Sequence, residues 1–359
     1  MTRMIVSCSL FSLFSILGCE KPAPVSFEQP LAPDRYSLHW EIDHIEPSTW
    51  INALTLDSNG QPWVGLHQKG IARFDGVWEK YNAKNSGLPV DEVLSIAVDD
   101  DDGVWFGTTE GIAHYASNSW QVFNPRNSPL LADNISALAI DRDGLLWIGC
   151  SDVKEGGVMS FDAETWRTFT AENSGFPSRY PMKIVAGEQN TLWVATRSSA
   201  GCPGGLARYE NGQWVSYTPE NSGLPYPDIY DISIDSHGNL WLATHEYQAF
   251  GTYVQSALVK FDGNVAWEII SHNRNAIITA LGHTGDDRLW IATSSNPALS
   301  PMTYDISVLE DGKQIRLSTL DHRFPLPYTF NIIVDTTGRT WLATTIGLLT
   351  VKPFPLISQ

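Results

Sequence analysis

Seven tryptophans, each opening a short run of apolar and small residues, recur along this chain: Trp63 (WVGL), Trp105 (WFGT), Trp147 (WIGC), Trp193 (WVAT), Trp241 (WLAT), Trp290 (WIAT) and Trp341 (WLAT). They are spaced by 42, 42, 46, 48, 49 and 51 residues, the length of one blade of a β-propeller. Six residues before five of them lies an aspartate: Asp57, Asp99, Asp141, Asp235 and Asp335. A glycine usually lies between, which reads as a hairpin turn with Asp bonding local backbone and Gly taking positive φ.

Before each aspartate the chain alternates, as in Leu54/Leu56, Leu138/Ile140 and Ile332/Val334, the period of a strand. After each tryptophan run comes a third segment (GIARFD, GIAHYA, GVMSFD, GLARYE) and then a fourth, marked by Trp78, Trp120, Trp166, Trp214 and Trp267. One repeat is therefore a four-stranded antiparallel blade. The seventh repeat ends after its third strand, while the segment around Trp40 is a fourth strand with no blade of its own. The expected fold is all-β, a seven-bladed β-propeller whose N-terminal strand completes the last blade and leaves no sheet edge open at the seam. Of the 14 tryptophans, seven fall on second strands and six on fourth strands, and Trp50 stands alone. Equal placement in every blade is what packing between sheets demands, so the repeated tryptophans are read as core.

The first residues carry one Arg and then an apolar run from Met4 to Leu17, too short to span a bilayer as a helix, and read as a signal peptide. Ile16-Leu17-Gly18-Cys19 resembles a bacterial lipobox, which implies a diacylated Cys19. Glu20 after it points by the same resemblance to the outer membrane. The expected organisation is a signal peptide at 1–18, Cys19 with a Pro-rich tether to residue 35, a propeller at 36–353 and a tail at 354–359. A formal charge of −17 argues against nucleic acid, whose affinity comes largely from Lys and Arg at phosphates. Cys150 and Cys202 could pair in an oxidising compartment.

The pattern D-x-x-G-x-x-W-[IVLF]-[GA]-T, then G-[ILV]-x-x-[FY], and the linkers Asn85-Ser-Gly-Leu-Pro89, Asn173-Ser-Gly-Phe-Pro177 and Asn221-Ser-Gly-Leu-Pro225 resemble the two-component-regulator propeller repeat family across residues 50 to 351. That resemblance implies a sensor-type propeller outside the cytoplasm, in a family often responsive to carbohydrates. No kinase follows in this sequence, so the signalling role is not carried over.

Propeller ligands usually meet the loops that gather around one mouth of the central channel. Seven residues before each turn position stand Trp50, Glu92, Asn134, Tyr180, Asp228 and Tyr328, and four residues after each blade tryptophan stand His67, Thr109, Ser151, Arg197, His245, Ser294 and Thr345. A pocket is expected over blades 4 and 5, from Arg197, His245, Glu246, Tyr247, Tyr180, Tyr226 and Asp228, with His67 a further candidate. Aromatic faces with planar polar groups suit polar ligands. Lys183 and Asp231 share one first-strand position in neighbouring blades and could form an ion pair near the channel. The acidic run Asp99–Gly103 lacks the glutamate that completes an EF-hand loop, and no metal, cofactor or catalytic residue is assigned.

The expected function is an exported, lipid-anchored module that binds a polar small molecule, glycan or partner protein. Two alternatives stand beside it: an enzyme resembling streptogramin B lyases, with His67, His245 and Glu246 as the candidates in position, and an outer-membrane assembly scaffold.

Overall fold

The computed structural model describes residues 40–352, apart from 44, 46–48, 189, 200, 248–253, 275, 296–301, 318–322 and 324. The expected signal peptide, Cys19 and its tether, the propeller's outermost residues 36–39 and 353, and the tail 354–359 lie outside the described residues.

Seven four-stranded antiparallel sheets follow one another. The first is Ile51–Leu56, Pro62–Leu66, Gly70–Phe74 and Trp78–Tyr81, and the next five repeat that order. In the last sheet Thr329–Val334, Thr340–Thr344 and Gly347–Val351 are completed by the N-terminal strand Trp40–Asp43, with Trp40 opposite Val351 and Asp43 opposite Leu348. Trp40 and Ile42 pack on Leu342, Leu349 and Val351. Among the described residues no helix is long and apolar enough to cross a membrane.

The aspartate six residues before the tryptophan has two tasks. In four blades one oxygen receives turn amides while the other receives the indole N–H. Asp141 Oδ1 accepts from the backbone of Asp143 and Leu145, both at 3.0 Å, and its Oδ2 accepts Trp147 Nε1 at 2.8 Å. Asp99, Asp235 and Asp335 hold Trp105, Trp241 and Trp341 at 3.1, 3.1 and 3.0 Å. The buried indole thus has its one donor satisfied. On the third strand a cation covers the ring in several blades: Arg73 over Trp63 at 5.3 Å, Arg208 over Trp193 at 5.7 Å and Lys260 over Trp241 at 5.1 Å.

Every core cluster draws on two neighbouring blades. One joins Trp105 and Ile112 of blade 2 to Ile135, Leu146 and Phe161 of blade 3. Inner strands approach closely enough that a Cβ at Gly107 would lie 3.0 Å from the Ile135 carbonyl oxygen of the next blade, which explains the small residue two positions after each tryptophan.

Each first strand bulges once, at Asn52, Leu94, Ser136, Met182, Tyr230, Thr279 or Phe330. A bulge re-aims its extra residue. All of these but Thr279 line a central cavity of about 470 Å³. Lys183 and Asp231 meet in that lining at 3.5 Å. Burial pushes the Asp231 carboxyl above its ordinary range, against the pull of Lys183.

Candidate functional site

The two rows of rim residues prove to be cross-strand neighbours. The amides of His67, Thr109, Ser151, Arg197 and Thr345 donate to the carbonyls of Trp50, Glu92, Asn134, Tyr180 and Tyr328, and Asp228 pairs with His245. Each couple therefore marks the end of the inner ladder at one mouth of the channel, where fourth strands lead into first strands and second into third. This is the loop face.

Among the described residues, the group expected over blades 4 and 5 is engaged in separate contacts. Arg197 lies over the Tyr180 ring at 5.2 Å, a pair facing the rim. The Tyr226 hydroxyl donates to Gln255 Oε1 at 2.8 Å, and burial with the nearby Glu246 carboxylate raises its phenol above the usual range. Asp228 is buried and accepts the amide and hydroxyl of Ser198 at 2.7 and 2.6 Å, so it fastens a loop. His245, expected in the pocket wall, is fully buried. Its Nε2 accepts the Ile278 amide at 3.1 Å, its ring stacks on Tyr230 at 4.5 Å, and burial pushes it down to about 4. The Tyr247 side chain lies outside the described residues.

The physical reason for His245's position is strand length. Blade 5's second strand runs over Leu240–Tyr247 and pairs with Val254–Phe261. The ladder thus continues past the point where blade 1's second strand ends, at Leu66. Cys150 and Cys202, whose pairing the sequence left open, are both buried and free. Cys150 points into the core between blades 2 and 3, where burial raises its thiol to about 12, while Cys202 sits in a blade 4 loop bridged to Ser199.

His67 has the surroundings of a site. Its ring stacks on Trp50 at 5.2 Å and 16°, and its Nδ1 lies 3.1 Å from Glu92 Oε1. Asn52 Nδ2 donates to the same Oε1 at 2.9 Å, and the Gln68 amide donates to Oε2 at 2.9 Å. From Trp50 a strip of rings runs across blades 7 and 6: Phe330 at 6.3 Å, Tyr328 4.8 Å further and Tyr304 5.9 Å beyond. Trp50 is 46% exposed, and Met302, Leu326 and Ile346 are exposed on the loops alongside. Asn52 and Phe330 also line the central cavity, so the strip borders the channel mouth. The sequence places Trp50 at the rim, and its being the one tryptophan outside both core rows was the signal that it belonged among the site candidates.

A two component regulator propeller model matches residues 87–110, 129–152 and 223–246, in each case the approach and first two strands of one blade. Three of the seven blades thus match the two-component-regulator propeller repeat. The fold is shared with the extracellular domain assigned to a hybrid two component system of B. thetaiotaomicron, at 21% identity and TM-score 0.66, covering 88% of this chain and 41% of that one. This propeller thus spans about two fifths of that structure's length. A streptogramin B lyase structure is similar at 16% identity and TM-score 0.63, covering 89% of this chain and 98% of that one. PorZ, a surface component of the type-IX secretion system of Porphyromonas gingivalis, matches at 14% identity and TM-score 0.63, over 92% of this chain and 48% of that one. None of the curated proteins matches the sequence.

Proposed function

We propose that this regulator-type propeller is an exported, lipid-anchored binding module whose loop face receives a polar, ring-bearing ligand at the channel mouth, a sugar being the simplest case. The observation that carries the reading is the contrast between the rim and everything beneath it. Below the rim, turn, indole and inner strand recur from blade to blade. At the rim the paired residues change from blade to blade, and around blades 1, 7 and 6 an aromatic strip runs from the exposed Trp50 to the half-buried Phe330, Tyr328 and Tyr304. Aromatic faces beside fixed hydrogen-bonding groups are how small polar ligands are oriented.

Export rests on the signal-like start and the Ile16–Cys19 motif. The N-terminal strand enters the ring at the opposite, turn face, since Trp40 pairs with Val351 there. A lipid tether would thus join the ring on the face opposite the proposed site.

The test is tryptophan fluorescence and thermal shift of residues 20–359 against oligosaccharides and macrolactone antibiotics, for the wild type, Trp50→Ala and Arg197→Ala. Binding lost with Trp50→Ala and retained with Arg197→Ala is expected. Loss in the reverse order would return the site to blades 4 and 5, and turnover of a macrolactone would favour the lyase-like reading.

A further inference from the structure

Glu92 is saturated with donors, and this decides what the histidine beside it can do. Its Oε2 receives the Gln68 amide at 2.9 Å, and its Oε1 receives Asn52 Nδ2 at 2.9 Å while facing His67 Nδ1 at 3.1 Å. A carboxylate oxygen only accepts, so a lone pair on Nδ1 would oppose a lone pair on Glu92. The neutral imidazole is left with its proton on Nδ1 and a bare Nε2. Asn52 Nδ2 also lies 3.3 Å from Nδ1. Donation there needs the other tautomer; Glu92 Oε1 and His67 Nδ1 lie too close together, at 3.1 Å, for the two diverging N–H bonds of one NH₂ to serve both, and the shorter bond goes to Glu92. The stack on Trp50 fixes the ring plane, and Lys69, the nearest cation on the same loop, turns its ammonium to Thr49. The His67 side chain is 38% exposed.

We infer that Glu92 is a positioning residue that sets the His67 tautomer, so that the channel mouth selects ring compounds presenting a hydrogen-bond donor, a hydroxyl or N–H, beside the Trp50 face. The selectivity rests on the loop-face reading above; the tautomer does not. A ligand whose group at that place is an ether meets the bare Nε2 with a lone pair of its own and is discriminated against.

The tautomer is read first, without ligand, from the ¹⁵N resonances of His67 in the full propeller at about pH 8, where histidine is ordinarily neutral. A protonated Nδ1 and bare Nε2 are expected in the wild type. In Glu92→Gln the Gln68 amide keeps the new side chain's oxygen, so its NH₂ turns toward His67 and the tautomer should invert with the fold intact. Asn52→Ala leaves the carboxylate in place and should keep the wild-type pattern, which separates the charge from packing. The probes are then phenol and anisole, one ring with and without the donor. Wild type should prefer phenol by about tenfold, and Glu92→Gln should lose or reverse that preference. A proton on Nε2 in the wild type, or no inversion in Glu92→Gln, overturns the role of Glu92 and leaves the ligand reading standing. The stated tautomer with equal binding of both probes overturns the selectivity. The stated tautomer with neither probe bound counts against the loop-face ligand reading itself.

Discussion

At the scale of single residues, His245 shows how a position sound by counting can be wrong by environment. Its Nε2 accepts the Ile278 amide, so Nδ1 carries the proton and has no partner. Burial holds the ring near 4, against about 6.5 for an unfolded histidine. The folded value is the depressed one, so the stability owed to the neutral ring is complete above about pH 6.5 and is lost as pH falls toward 4. That is worth about 3 kcal/mol at most. His283, pushed to about 4 chiefly by its burial, adds in the same direction. His245→Gln keeps an acceptor for Ile278 and removes the titration. Urea unfolding at about pH 8 and about pH 5 should show a smaller loss for the variant than for the wild type, and equal losses would deny His245 any share in the acid response. The sequence reading located both rim rows correctly along the ladder, because strand period and offset from the turn are local. Whether a rim residue faced water was not legible, since in blade 5 it depended on how far the strand Leu240–Tyr247 kept its partner. The Trp50, His67 and Glu92 cluster was missed because its members come from two blades and only the ring brings them together.

At the scale of elements, the turns opposite the loop face alternate in a way the repeat alone does not suggest. The left-handed position of the turn is glycine in blades 1, 3, 5 and 7, at Gly60, Gly144, Gly238 and Gly338. In blades 2, 4 and 6 it is Asp102, Asn190 and Asp287, each with positive φ. Each of these three side chains reaches the preceding blade's turn. Asp102 accepts the amide and hydroxyl of Ser58, Asp287 those of Ser236, and Asn190 donates to Asp143. The ring is thus fastened in pairs: 1 with 2, 3 with 4, 5 with 6. Hydrogen bonds from Ser236 hold the Asp287 carboxyl below its ordinary range. Asp287→Gly loses the latch but relieves a φ of 62°, whereas Asp287→Ala loses the latch and keeps the strain. Alanine should therefore be the more destabilising by about 1 kcal/mol, as read from denaturant midpoints. The reverse order would mean that the latch does not impose this backbone conformation. The missing glycines were visible in the sequence as departures from D-x-x-G. Their partners were not, because a turn pattern carries no information about the neighbouring blade.

At the scale of the whole molecule, the question is what keeps seven sheets, each touching only its neighbours, in one ring. The sequence answered it by counting: six tryptophan-marked fourth strands were at hand only if the N-terminal segment around Trp40 supplied one. The structure pairs Trp40–Asp43 with Gly347–Val351. Leu348, Leu349 and Val351 on that third strand are fully buried, and Leu349 and Val351 share a core cluster with Trp40 and Ile42. Deleting residues through Asp43 would bare this edge as an unpaired row of N–H and C=O groups over apolar side chains, a template for pairing with another chain. Blades coupled to their neighbours do not fail independently, and the loss at blade 7 falls on both its interfaces, with blade 6 and with blade 1. The expected result is a loss of roughly 3 kcal/mol, a broader unfolding transition and association that grows with protein concentration. A peptide of residues 36–46 added in trans should restore the transition and suppress the association, because it supplies the same ladder without a covalent link. Cooperative unfolding with an unchanged midpoint in the deletion variant would show that blade packing alone holds the ring, and that the N-terminal strand fills an edge without closing the circle.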